Sequence, residues 1–307
     1  MNLTMNIGRP GRRSVCVGGA LALLLACLAS VAAAEKPKVN LLRIGSSGAI
    51  ANKKGDKEKG ALETLEKFIR DETGLENKIL PQKTWPELTE KLAKGDLQLG
   101  VYEGFEFAWA QAKDQKLKPL ALAVNVYRYP VVFAVIKVDN PAPNFAALRG
   151  QSISIPTANQ GDLNLFVEHE THSAGKATGA FFSKVNTEQN PEDALDDVVD
   201  GNIQVAVVDR VALEAFKRRK PGRFKQLKEI AHSEPLPPPV IAYYGDALDS
   251  TTQEQFAKGL FQANRKEAGQ TLLTLFHLTS FEPVPNDLAK VLEATRKNYP
   301  PSPTLSK

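Results

Sequence analysis

The segment Ser233-Glu234-Pro235-Leu236-Pro237-Pro238-Pro239 carries four prolines in seven residues. Each proline locks φ and lacks an amide donor, so the run excludes helix and interior strand and holds extended polyproline geometry. On both sides the pattern alternates between β-rich runs and helical periodicity, which marks the run as a connector between α/β layers. The 307-residue chain exceeds the roughly 100–150 residues of a typical single domain. The simplest assembly is therefore α/β with two lobes, each a mixed sheet flanked by helices. Residues 35–125 and 240–299 are expected in lobe one, and residues 126–239 in lobe two with two hinge connectors. Residues 300–307 read as a disordered tail.

The run 39–44 reads as a strand ending in the small-residue loop Gly45-Ser46-Ser47-Gly48. Leu62, Leu65, Phe68, Ile69 and Leu75 then fall at helical spacing, and Gly74 punctuates the end. Thr84-Trp85-Pro86-Glu87 opens a second helix with a threonine cap and an early proline. Residues 97–102 predict a strand that turns at Gly104 into a helix bearing Phe105, Phe107, Ala108 and Trp109. Strands are expected over 120–126, 131–138, 152–155, 205–208 and 240–243. Helices are expected over 161–172, after the Asn190-Pro191 cap, and after Asp209 as far as Lys220. The stretch 250–299 reads as helical, opened by the capping box Ser250-Thr251-Thr252-Gln253.

Arg9, Arg12 and Arg13 precede an apolar run from Val15 to Leu28 and then Ala32-Ala33-Ala34, the order of a secretory signal peptide cleaved after Ala34. The apolar run is shorter than the roughly 20 residues of a bilayer span. Leu24-Leu25-Ala26-Cys27 resembles a lipoprotein box, and Arg12-Arg13 a twin-arginine signal; the alanine triplet is the better cleavage site. Both cysteines, Cys16 and Cys27, lie in this leader, so the mature chain carries no thiol. Removing three arginines from 39 basic residues leaves 36 against 35 acids, a net charge near +1. That balance favours neither nucleic acid nor an anionic membrane surface as partner.

Several runs together resemble the phosphate/phosphite/phosphonate-type periplasmic binding proteins of ABC transporters. The carriers are Ile44 to Gly48, Thr84-Trp85, Gly100-Val101-Tyr102-Glu103-Gly104-Phe105, and Phe145 to Gly150 followed by Ser152-Ile153-Ser154-Ile155. Val205-Ala206-Val207-Val208-Asp209 and the proline connector complete the set. The resemblance implies a type II periplasmic-binding fold that closes around a small solute and a permease as partner. It also implies a periplasmic location, with no cofactor. The phosphonate binders present Ser and Thr hydroxyls at the start of the lobe-two helix, where amides favour an anion. Here the matching stretch is Thr157-Ala158-Asn159-Gln160-Gly161-Asp162, and Asp162 brings a negative charge that competes for the helix dipole. With Glu103 and Asp209 it makes bare phosphate a poor ligand and leaves room for a zwitterion.

The candidate ligand residues are Ser46, Ser47, Trp85, Tyr102, Glu103, Tyr127, Thr157, Asn159, Gln160 and Asp209. Several have a structural alternative: the aromatics, with Tyr129, can be interior packing, the serines can end a strand, and Asp209 can cap the following helix. His169 and His172 share a helix face but lack a third ligand, so no metal site is expected. Lys217-Arg218-Arg219-Lys220 reads as complementing a helix C-terminus. No nucleophile elbow, phosphate loop or cofactor fingerprint points to an enzyme. A monomeric solute receptor is the expectation; an interaction module for a membrane receptor, or an enzyme on the same fold, are the alternatives.

Overall fold

The computed structural model describes residues 41–47, 56–157, 160–187 and 190–301. The expected leader, Asn159 and most of the expected tail lie outside the described residues. The first group of elements is β1 (Leu42–Ser46), α1 (Asp56–Thr73), β2 (Asn77–Pro81), α2 (Trp85–Lys94), β3 (Leu99–Tyr102), α3 (Gly104–Lys113) and β4 (Leu117–Val124). The second is β5 (Val132–Lys137), a 3-10 turn (Phe145–Leu148), β6 (Ser152–Ser154), α4 (Gln160–Ser173), α5 (Thr178–Phe181) and β7 (Lys184–Asn186). It continues with α6 (Pro191–Asp200), β8 (Val205–Asp209), α7 (Arg210–Arg219), α8 (Pro221–Phe224) and β9 (Leu227–His232). The chain then adds β10 (Val240–Tyr244), α9 (Ser250–Phe261), α10 (Glu267–Leu275), β11 (Ser280–Glu282) and α11 (Leu288–Asn298). No described helix is long and apolar enough to cross a membrane.

The strands form one six-stranded sheet, β11-β4-β10-β3-β1-β2, and one five-stranded sheet, β7-β6-β8-β5-β9. Both follow one plan. Parallel pairs β2-β1-β3 and β7-β6-β8 are each flanked by an antiparallel strand, β10 in the first sheet and β5 in the second. That antiparallel strand is in each case the one delivered from the other sheet, because β4 feeds β5 and β9 feeds β10. The two connectors therefore cross side by side between lobe one, built on the first sheet, and lobe two, built on the second. Leu236 N–H donates to Pro130 O at 2.8 Å, Ser233 N–H to Val132 O at 2.8 Å, and Ala123 N–H to Pro239 O at 2.9 Å. Val132 N–H returns a bond to Ser233 Oγ at 3.0 Å.

Local chemistry sets the helix ends. Thr84 Oγ1 accepts Glu87 N–H at 3.4 Å, and Asn190 Oδ1 accepts Asp193 N–H at 2.9 Å, each satisfying an otherwise unpaired first-turn amide. At α9 the cap falls one residue earlier than the expected Ser250: Asp249 Oδ1 accepts Thr252 N–H at 2.9 Å. The expected continuous helical stretch 250–299 is broken by β11 and holds three α-helices. β1 runs through Gly45 and Ser46, which pair with β2 and β3, so those residues belong to the strand and not to the loop after it.

Apolar packing forms three clusters. One lies on the outer face of the first sheet around Phe68, Ile69, Phe256 and Leu272. Another lies on the outer face of the second sheet around Leu195, Val198 and Phe216. The third runs through both lobes, from Trp85, Leu88 and Phe105 by way of Leu236 to Leu163, Phe166 and Val207. Continuous apolar contact across the lobes removes surface from water at about 25 cal/mol per Å² and favours the closed arrangement.

Candidate functional site

The loops at the C-terminal ends of the parallel strands face one another between the lobes, where α/β sheets place small ligands. In lobe one, β1 delivers Ser46 and Ser47, both buried. Ser47 N–H donates to Val101 O at 3.0 Å, which pins the loop to β3. Ser47 Oγ donates to Glu106 Oε2 at 2.5 Å. Glu106 sits in the first turn of α3, is 7% exposed, and also accepts the Glu103 N–H at 3.4 Å. Burial pushes its carboxyl up, while the Ser47 hydroxyl and the Glu103 amide pull it back toward the ionised form.

Glu103 precedes α3 and faces lobe two. A β-carbon placed on Gly161, at the start of α4, would lie 3.5 Å from Glu103 Cδ and 3.4 Å from Phe105 Cε1. The first turn of α4 thus rests against the start of α3, and the lobes are closed on each other. The next residue of α4, Asp162, has its carboxyl pushed up to about 7, first by burial and then by the negative charge of Asp209. Asp209 ends β8, and its Oδ1 accepts Ala212 N–H at 2.7 Å, so the capping role is realised. Thr157 is exposed after β6, and Gln160 opens α4 half-buried.

The hinge side is closed by aromatic and backbone contacts. Tyr127, on the first connector, lies under the Arg210 guanidinium at 5.2 Å, linking the connector to lobe two. Tyr129 Oη donates to Asp287 Oδ1 at 2.7 Å, and Arg128 Nε to Glu282 Oε2 at 2.6 Å, linking it to lobe one. The proline connector passes directly over α3. A β-carbon at Gly104 would stand 1.8 Å from Pro237 O, so only glycine fits. Tyr299 follows α11; its carbonyl accepts Trp109 Nε1–H at 2.8 Å, and its ring lies 4.9 Å from that of His169 on α4. Burial, with the nearby charge of Glu170, pushes the Tyr299 hydroxyl up to about 12.

Two expected wall residues face inward. Tyr102 is fully buried, its hydroxyl 2.9 Å from Thr89 Oγ1 and its ring against Phe107. Desolvation raises its pKa. Trp85, at 3% exposure, packs 6.2 Å from Trp109 with Lys113 Nζ 4.6 Å above its ring. Its indole N–H is buried without a hydrogen-bond partner. Both residues follow from packing: α2 and α3 share an apolar seam, filled by the Trp85 ring from the start of α2 and by the Tyr102 ring from the end of β3.

The structure brings Ser46, Ser47 and Glu103 together on one wall and Gln160, Asp162 and Asp209 on the other. Sequence reasoning missed Glu106, although a lone acid within Phe105-Glu106-Phe107-Ala108-Trp109 is the signal of a buried charge. His169 packs against Tyr299 with the rings tilted by 55°, while His172 Nδ1 lies 2.8 Å from Glu168 O. Among the described residues no group of three or more His, Cys, Asp or Glu is placed to hold a metal. Of the basic run, Arg219 pairs with Glu192, and Lys220 with both Glu192 and Asp196. Two surface hollows lie elsewhere, about 360 Å³ beside Asn190 and Arg219 and about 730 Å³ beside Thr64 and Gln270.

Two mixed sheets joined by paired connectors, with strand-end loops meeting in the gap, define a two-lobed binding protein. The model of the ABC transporter phosphonate periplasmic substrate-binding family matches residues 48–288, and the chain belongs to that family. Its members are periplasmic and deliver small solutes to ABC permeases. A search of curated proteins gives no match. Among solved structures, a Xanthomonas citri protein bound to chloride is 14% identical, with TM-score 0.58 over 85% of this chain and 97% of its own. A binding protein of Prochlorococcus marinus in complex with methylphosphonate is 14% identical, with TM-score 0.56 over 84% of this chain and 97% of its own. The binding component of a phosphonate transporter from Pseudomonas aeruginosa is 13% identical, with TM-score 0.53 over 84% and 87%. At these identities the likeness establishes the fold.

Proposed function

We propose that this chain is the solute receptor of an ABC importer and holds a small polar, phosphonate-like or zwitterionic solute between its lobes. The contact of Gly161 with Glu103 and Phe105 carries the reading, because it brings both walls into register around the strand ends. Ser46, Ser47 and Glu103 line one side, and Thr157, Gln160 and Asp209 the other, with Tyr127 at the hinge; Asn159 is assigned to the solute from the sequence alone. Trp85 and Tyr102 support the first wall from behind. Hinge bending at residues 125–131 and 233–239 opens and closes the cleft. The protein acts as a monomer without turnover, after export and cleavage behind Ala34. Lobe one comprises residues 35–125 and 240–299, and lobe two residues 126–239.

The acids favour a zwitterion over bare phosphate. Asp162 occupies the start of α4, where an incoming anion would otherwise meet the helix dipole, and Asp209 and Glu103 add negative charge that an ammonium group would offset. A thermal-shift screen of the exported protein against phosphate, methylphosphonate, 2-aminoethylphosphonate and amino acids tests this. A solute at a hundred times its Kd stabilises by about 2.7 kcal/mol. A selective shift with a phosphonate or zwitterion is expected; no shift with any of them contradicts the ligand class.

A further inference from the structure

We propose that Glu106 sets the polarity of the lobe-one wall, turning the Ser47 hydroxyl into an acceptor toward the solute and selecting solutes that present a hydrogen-bond donor there. The inference rests on the reading that a small polar solute sits between the lobes. A serine hydroxyl has one hydrogen and two lone pairs. Ser47 directs that hydrogen to Glu106 Oε2 at 2.5 Å. Ser46 Oγ likewise directs its hydrogen to Ser47 O, at 3.4 Å. A Ser-Ser loop at a strand end reads from sequence as a pair of donors for an oxyanion. With both hydrogens engaged inside the protein, the loop offers lone pairs instead.

Glu106 enforces this arrangement because it cannot easily leave. It belongs to the first turn of α3, is 7% exposed, and holds the Glu103 amide as well as Ser47. Both donors point at the one oxygen Oε2, so in this geometry the carboxyl accepts from Ser47 and Glu103; the two bonds favour the ionised form against the burial that pushes the carboxyl up. One buried side chain therefore ties the β1 loop to the start of α3 and orients the hydroxyl between them. Across the cleft, Asp209 is a further acceptor, its Oδ1 already taking the Ala212 N–H at 2.7 Å, and Arg210 lies over the Tyr127 ring. A solute oxyanion aimed at lobe one meets lone pairs; an ammonium or amide group meets partners.

Isothermal titration of the exported protein with 2-aminoethylphosphonate and ethylphosphonate, which share the phosphonate and differ in the amine, tests the assignment. Native protein is expected to bind the amine-bearing probe at least about tenfold more tightly, the scale of a hydrogen bond to a charged group. Glu106→Ala frees the Ser47 hydrogen and is expected to cut the ratio at least about threefold, the remainder being held by Asp209 and Glu103, while Glu106→Gln, which still accepts from Ser47, loses less of the preference. A merely structural role for Glu106 would weaken both probes together and leave the ratio standing. Ser47→Ala removes the acceptor but keeps the carboxylate, and is expected to cut the preference at least about threefold. Equal binding of the probes by native protein, or an unchanged ratio in Glu106→Ala or Ser47→Ala, overturns the role of Glu106 alone. Binding of neither probe overturns it together with the proposed ligand class.

Discussion

Asp162 holds a carboxyl at about 7, above the ordinary 3.8, because burial and the Asp209 charge disfavour ionisation. Between those values the unfolded chain has released a proton that the folded protein retains. Stability therefore falls as pH rises through that window and levels off above it. Asp162→Asn removes the titration: its melting temperature should exceed that of native protein at about pH 8, with a gain that shrinks toward about pH 5. A gain independent of pH would contradict the assignment. Gly104 makes a different demand, since any β-carbon there meets Pro237 O at 1.8 Å. Gly104→Ala should cost about 1–3 kcal/mol in urea unfolding. Gly179→Ala, with nothing within 4 Å of the new carbon, serves as the neutral comparison. Glu106 belongs to the same scale: its type was legible as an anomaly in an apolar run, but its partner Ser47 lies 59 residues away and only the fold joins them.

Among the elements, the first connector stores strain. Val126 has φ 58°, and Tyr127 N–H donates back across it to Asn125 O at 2.6 Å. A β-branched residue in this region costs on the order of 1–3 kcal/mol. Its side chain is 56% exposed, so little packing offsets the cost. Val126→Asn, which tolerates positive φ, should stabilise by about 1 kcal/mol, measured by thermal unfolding; a loss would mean that the valine packs or that the turn is unstrained. Central elements were readable from the chain because buried runs such as Val205 to Val208 and capped amphipathic helices such as α2 carry strong local patterns. The missed strands β2, β7, β9 and β11 all lie at sheet edges. Edge strands bury one face at most and need little apolar alternation, so their pairing comes from the neighbouring strand. The last stretch misled for the same reason: β11 is three residues long and half-buried throughout.

For the whole molecule, paired connectors and an apolar cluster shared by both lobes describe a hinge seen in its closed state. The proline run announced a crossing between layers, and Glu103, Asp162 and Asp209 marked the candidate cleft as rich in carboxyl groups. Which side chains turn inward was not legible, because Trp85 and Tyr102 are placed by the seam between α2 and α3 and not by their own neighbours in sequence. The central claim is that a solute drives the lobes together. Both cysteines precede the proposed cleavage point, so Lys83→Cys and Thr187→Cys, one exposed position on each lobe, would carry the only two spin labels of the mature protein. Pulsed dipolar spectroscopy of that variant, with and without 2-aminoethylphosphonate or another solute that shifts the melting curve, reads the interlobe distance. A broad distribution that narrows to a single, different distance on binding is the predicted result; an identical distribution with saturating solute would contradict hinge closure.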